Sequence, residues 1–149
     1  MTTIAATLKD IACDRQGTHG GGWKIQLNTK VQCFHQPIIY KKPFYVGMCG
    51  DLDNFSDTFS FFLDPTQWKK PPSGKGTEGL VLTADGKLFR FINPAQWLQV
   101  QQNYYAIGSG APYALTAMSL GKNSKDAVKA AMKFDPGTGM GIKYYSIDK

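Results

Sequence analysis

The sequence is short of several residue types at once. It holds three cysteines, two histidines and one glutamate, Glu78, the other ten acids being aspartate. An odd number of thiols gives no framework of paired disulfides, and it fits a reducing compartment, so a cytoplasmic location is expected. The Cys-x2-Cys spacing of common zinc sites is missing. Cys13, His19, Cys33 and His35 therefore read as buried thiols and partly exposed histidines, and no metal or other cofactor is expected. No stretch approaches the ~18 apolar residues of a membrane helix. Met1 to Ala6 has neither the basic nor the apolar region of a signal peptide, so no membrane role is expected. Ser109 lies in Gly-Ser-Gly rather than Gly-x-Ser-x-Gly, with few histidines to serve it, which argues against a serine hydrolase.

What is present is an ordinary globular balance. The 149 residues are 42% hydrophobic and 19% charged, which fits one domain over residues 1–149. A chain of this size buries roughly 70% of its unfolded surface, enough to fold without disulfides or a structural metal. The net charge is +6, which raises nucleic acid as a partner. The basic clusters are Lys41-Lys42, Lys69-Lys70-Lys75 and Lys122-Lys125-Lys129-Lys133. Lys125, Lys129 and Lys133 share one helix face, and no nucleic-acid-binding signature accompanies them. They read as a solvated face, and a nucleic-acid partner is not expected. Gly74 to Gly79 fits G-x-G-x-x-G, but it follows Pro71-Pro72 and precedes a strand, the wrong context for a dinucleotide.

The periodicities predict an α+β chain. Thr2 to Thr7 and Ile11 to Cys13 read as a hairpin, and Asp14 to Thr18 as the chain leaving it. Trp23 to Leu27 reads as a short strand or turn. Lys30 to His35 alternates apolar and polar, and Phe44 to Gly50 is a continuous apolar run, as in a central strand. Leu52, Phe55, Phe59, Phe62 and Leu63 recur at helical spacing behind Asp51 and Asp53, and Pro65 limits that helix. Gly79 to Ala84, Asp85-Gly86 and Lys87 to Ile92 predict a hairpin. Tyr104 to Ile107 is a further strand. Tyr113 to Leu120 and Lys125 to Phe134 are helices, the first stopped at Gly121, the second capped by Asn123 or Ser124, and Gly141 to Ile147 is a last strand.

The N-terminus carries the chemistry. Removal of Met1 would leave Thr2 with a free α-amine and a β-hydroxyl on one residue. A threonine hydroxyl is a weak nucleophile, and an α-amine with a reference pKa of ~8 can take its proton. Such a site needs a cation to keep the amine neutral and an acid to hold the cation. Asp14 and Lys30 sit on segments able to supply them, and equally able to form a plain structural pair.

Several motifs in order resemble the proteasome-type N-terminal nucleophile hydrolases, most of all the bacterial HslV-type peptidases. They are Thr2-Thr3-Ile4, Asp14-Arg15-Gln16-Gly17-Thr18, Lys30-Val31, Gly47-Met48-Cys49-Gly50, Ala106-Ile107-Gly108-Ser109-Gly110-Ala111-Pro112-Tyr113-Ala114 and Asp135-Pro136-Gly137-Thr138-Gly139. The resemblance implies a four-layer αββα sandwich of two antiparallel sheets flanked by helices. It implies a threonine-type endopeptidase in which Thr2 is the nucleophile, Lys30 and Asp14 tune its amine, and Ser109 and Asp135 hydrogen-bond around it. The Gly50 N–H would stabilise the oxyanion, Thr18 would line the substrate site, and Met48 would either line it or belong to the core. It implies a peptide or unfolded-protein substrate, a homo-oligomeric ring and an ATPase unfoldase as partner. The alternatives on the same fold are an unprocessed or inactive ring protein and a small-molecule amidase. The chain departs from the family in a shorter first hairpin. It also has Pro65 and the Lys69 to Lys75 loop where a second helix usually lies, a region that bears on ring packing and ATPase docking.

Overall fold

The computed structural model describes residues 2–18, 24–27, 30–51 and 54–147, with the backbone alone at residues 18, 24 and 25. Two antiparallel sheets dominate. The first has the order β10 (Tyr104–Gly108), β1 (Thr3–Thr7), β2 (Asp10–Asp14), β11 (Ile142–Ser146). The second runs β5 (Val31–Phe34), β6 (Phe44–Gly50), β7 (Thr77–Thr83), β8 (Leu88–Phe91), β9 (Leu98–Gln99). A small ribbon pairs β3 (Gln16–Thr18) with β4 (Lys24–Gln26). The helices are α1 (Phe55–Leu63), α2 (Ala111–Ser119) and α3 (Ser124–Phe134), and Pro65–Gln67 forms one 3-10 turn.

Alternation along the strands builds the layers. In β1 and β2, Ile4, Ala6, Ile11 and Cys13 point between the sheets, where they meet Val31, Leu80, Leu82 and Ile107. The opposite face of the same sheet is all alanine at Ala5, Ala12 and Ala106, and it packs against Ala114, Met118, Ala127 and Val128 of α2 and α3. Small side chains on both surfaces let helix and sheet approach closely, which close packing rewards. The outer face of the second sheet is aromatic instead. Phe44, Val46, Met48, Val81 and Phe91 meet Phe55, Phe61 and Phe62 of α1. Ring pairs such as Phe44 and Phe62, edge to face at 5.8 Å, fill the wider gap. Helices, sheet, sheet and helix thus stack as the expected αββα sandwich.

Local signals set the ends of the elements. Asn123 caps α3 by accepting from the Asp126 N–H at 2.8 Å. Gly121 follows α2 at a φ of 88°, in the left-handed region. Asn54 stands at the start of α1 without a side-chain cap, its amide donating across to the Lys75 carbonyl at 2.7 Å. Leu52 and Asp53 lie outside the described residues. Two elements differ from expectation. Gln16–Thr18 does not merely leave the hairpin but pairs with β4, and β9 forms at the sheet edge where no strand is expected. Gly74 to Gly76 turn back onto β6, and Thr77 to Gly79 already belong to β7, with no helix to receive a phosphate. Among the described residues no helix is long and apolar enough to cross a membrane. Among them, too, no group of three or more His, Cys, Asp or Glu is placed to hold a metal ion. Cys13 is buried and Cys33 exposed; His19 lies outside the described residues.

Candidate active site

The first hairpin delivers two of the site residues. Thr2 precedes β1, and Asp14 ends β2, which pairs with β1 from Ile4 to Ala6. The antiparallel turn-back therefore returns the chain to Thr2, and the Asp14 carboxylate accepts from the Thr3 N–H at 3.1 Å. Lys30 stands just before β5, where its carbonyl accepts from the Met48 N–H at 3.0 Å. Its side chain enters the protein and is fully buried.

A buried lysine needs its donors used. The Lys30 ammonium donates to Asp14 Oδ1 at 2.8 Å, to the Gln16 carbonyl at 2.5 Å and to the Thr2 hydroxyl oxygen. Asp14 is equally well held. Its Oδ2 accepts from the N–H groups of Gln16 at 3.3 Å and Gly139 at 3.1 Å. These bonds draw the late 135–139 loop onto the end of the first hairpin. Gln16 adds a side-chain bond to the Pro136 carbonyl at 2.9 Å, and Arg15 donates its N–H to the Gly139 carbonyl at 3.1 Å. The Arg15 guanidinium points away, to the Leu27 carbonyl at 2.9 Å, which gives it a structural place in the β3–β4 ribbon.

The nitrogen of Thr2 is held from the other side. It donates to Ser109 Oγ at 3.2 Å. Ser109 in turn donates to Asp135 Oδ2 at 2.6 Å, an oxygen that also accepts from the Thr138 hydroxyl at 2.6 Å. Gly137 N–H reaches Asp135 Oδ1 at 3.1 Å. Burial alone would raise the Asp135 pKa, but the bonds from Ser109, Thr138 and Gly137 outweigh it and hold the carboxyl below its ordinary value. The backbone must pass close here. A Cβ on Gly110 would lie 2.0 Å from Thr3 Oγ1 and 2.9 Å from the Ala131 Cβ, so glycine is required.

Thr2, Asp14, Lys30, Ser109 and Asp135 thus converge, although 107 positions separate Thr2 from Ser109. Gly50 ends β6 at a φ of 107°, and a Cβ there would stand 2.1 Å from the Gly76 carbonyl oxygen. Met48 falls elsewhere, with the core of its two readings and not with the pocket. Its side chain is fully buried on the outer face of the second sheet, among the aromatic rings under α1. The alternation of β6 puts Phe44, Val46 and Met48 on one face, and that face is core. The Thr18 side chain lies outside the described residues. Sequence reasoning did not single out Thr3, Gln16, Gly110 or Thr138 as site residues, because their roles rest on contacts between distant segments. Cys49 lies nearby but is chemically quiet. Burial, with the Glu78 charge adding to it, pushes its thiol up to about 12.

No family model matches the sequence, and no curated protein matches it. Solved structures do. The BPH protein of Thiobacillus denitrificans, in complex with epoxomicin, aligns with a TM-score of 0.72 and 19% identity over 97% of each chain. HslV from Trypanosoma brucei aligns at 0.67 and 14% identity, over 97% of this chain and 98% of its own. An Anbu (Gly-1) mutant from Hyphomicrobium aligns at 0.73 and 12% identity, over 98% of this chain and 81% of its own. Layer order, sheet topology and these alignments agree: the chain has the proteasome-type N-terminal nucleophile fold.

Proposed function

We propose that the chain is a threonine-type peptidase whose nucleophile is Thr2, exposed by removal of Met1. One observation carries the reading: a fully buried lysine bridges the Thr2 hydroxyl and the Asp14 carboxylate, while the Thr2 nitrogen rests on Ser109. A cation held against a threonine hydroxyl has little structural use, and it favours the oxyanion that the hydroxyl becomes on losing its proton.

The steps follow from the groups present. While Met1 is attached, the Thr2 nitrogen is an amide and cannot act as a base. Once freed, the neutral amine takes the hydroxyl proton, through a water, as Thr2 Oγ1 bonds to the substrate carbonyl carbon. The carbonyl oxygen becomes an oxyanion, which the Gly50 N–H is assigned to receive, a role typically worth ~3 kcal/mol. The protonated amine then gives its proton to the leaving nitrogen as the C–N bond breaks. An ester on Thr2 remains, and water attacks it by the same route. Asp14 holds Lys30 in place, and Ser109 with Asp135 orients the amine.

A peptide or unfolded polypeptide is the proposed substrate and a homo-oligomeric ring the proposed assembly, with an ATPase unfoldase as the partner that would feed it. The related Anbu complex of Pseudomonas aeruginosa is described as a helical assembly, so the geometry of association is a separate question for sizing and imaging. Met1 in the sequence keeps a second reading in play, a protein of the same fold that is never processed and serves as a scaffold. Thr2→Ala decides between them. In the peptidase it abolishes cleavage of small peptide reporters by the processed chain. Unchanged turnover removes Thr2 as the nucleophile, and a parent that keeps Met1 and shows no turnover favours the scaffold.

A further inference from the structure

The hydrogen bonds behind Ser109 extend one residue further than the catalytic reading uses. Thr3 Oγ1 lies 2.7 Å from Thr138 Oγ1, and both residues are buried. Proton counting fixes the direction of every bond. Asp135 is an acceptor only. Thr138 and Ser109 each own one hydroxyl proton, and each gives it to Asp135 Oδ2 at 2.6 Å, the Thr2 carbonyl lying farther from Ser109 Oγ at 3.4 Å. Thr138 therefore accepts from Thr3, so the Thr3 hydroxyl is the donor. Ser109 likewise accepts from the Thr2 nitrogen.

We propose that Thr3 is a positioning residue: its hydroxyl donates to Thr138, keeps the Thr138 hydroxyl proton on Asp135, and so sets how much negative charge Asp135 leaves beside the Thr2 nitrogen. The inference rests on the proposed peptidase reading. Were Ser109 free to turn its proton toward the amine, it would occupy the lone pair that the general base needs. Its own bond to Asp135 removes that option, and in the chain Thr3 → Thr138 → Asp135 ← Ser109 ← Thr2 each hydroxyl has its proton engaged away from the amine. The packing is tight as well as directional. A Cβ at Gly110 would meet Thr3 Oγ1 at 2.0 Å and Thr138 Oγ1 at 3.0 Å, so the two hydroxyls occupy a slot that glycine keeps open.

Removing the Thr3 donor weakens the chain it polarises. Thr138 then neutralises Asp135 less, and more negative charge remains beside the Thr2 nitrogen. The protonated amine is favoured, and the general base is lost at a higher pH than before. Among the described residues, the other ionisable groups at the site are Asp14 and Lys30, which face each other, and the thiols of Cys13 and Cys49. Glu78 acts on Cys49 from β7. None of these touches Thr3 through its own hydroxyl.

The test compares processed parent, Thr3→Val and Thr3→Ser chains. Thr3→Val is expected to lower kcat about tenfold, the scale of one bond in a charged network. KM should stay within about twofold. The acidic limb of the rate profile should move to higher pH, and Thr3→Ser should restore both. A second readout needs no turnover: carbamylation of the Thr2 α-amine by cyanate against pH, read on the N-terminal peptide, where Thr3→Val should titrate higher than the parent. Thr3→Ala supplies the same comparison if the valine chain does not fold. Parent-like kcat and parent-like amine titration in the valine or alanine chain overturn the proposal. A shifted titration with no turnover in any chain leaves the relay standing and overturns the peptidase reading instead.

Discussion

Lys30 Nζ lies 2.8 Å from Asp14 Oδ1, and neither side chain has any solvent exposure. Each charge is tolerated only because the other, with the bonds from Thr3, Gln16 and Gly139, satisfies it. Lys30→Met leaves Asp14 as an uncompensated buried carboxylate. It is expected to cost about 3–5 kcal/mol of stability and to abolish cleavage. Chemical denaturation alongside a peptide turnover assay checks both effects. Parent-like stability would mean that Asp14 is not confined as described.

Acid should expose the Asp135 network. Its carboxyl is held below the ordinary value by Ser109, Thr138 and Gly137 against the opposing pull of burial. A depressed folded pKa adds stability that is complete above the unfolded value, ~3.9 for aspartate, and is lost as pH falls through the folded value. The parent is therefore expected to lose stability as pH falls below about 4. Asp135→Asn should flatten that part of the curve while lowering stability at neutral pH. Asp64 and Asp85 are also depressed, so the difference between the two chains, measured by denaturation across pH, isolates Asp135.

Gly110→Ala tests the closeness of the chain at Ser109. The added methyl would overlap Thr3 Oγ1 and press on Ala131 and Thr138. Overpacking of this kind costs about 1–3 kcal/mol, and it disturbs the hydroxyls that hold Asp135. The expected outcome is a lower melting temperature together with reduced turnover. Thr3→Ala in the same chain should recover part of the stability, because it removes the atom that is struck first.

Thiol chemistry reports on the layers. Desolvation raises all three thiols, but Cys13 and Cys49 are buried whereas Cys33 is exposed on β5 and open to reagent. A disulfide reagent at pH 8 is expected to label one thiol per folded chain and three after unfolding. Mass mapping of the first label should return Cys33. Rapid labelling of Cys49 would mean that the first sheet does not close over it.

Much of the fold was legible because local pattern and tertiary packing ask for the same thing. Ile4-Ala5-Ala6 and Ile11-Ala12-Cys13 are short apolar strand runs, and the structure turns Ile4, Ala6, Ile11 and Cys13 between the sheets and Ala5 and Ala12 toward α2 and α3. Asn123 caps α3 by a bond within its own first turn, which a sequence displays directly. Two-residue β9 carries no such pattern. It exists because β8 offers an edge for Leu98–Gln99 to pair with. The site divides the same way. Motif resemblance pointed to Thr2, Asp14, Lys30, Ser109 and Asp135, and these converge. Thr3 and Thr138 meet across 135 positions, a contact visible only once both sheets and the late loop are in place. Met48 stayed open between pocket and core because strand alternation gives two faces without saying which is core.

The most direct test of the account is the intact mass of the protein from its native host after incubation with a peptide electrophile that traps N-terminal threonine nucleophiles. The account predicts a chain lacking Met1 and carrying one adduct, placed on Thr2 by fragmentation and absent from Thr2→Ala. Uniform retention of Met1 with no adduct would contradict it.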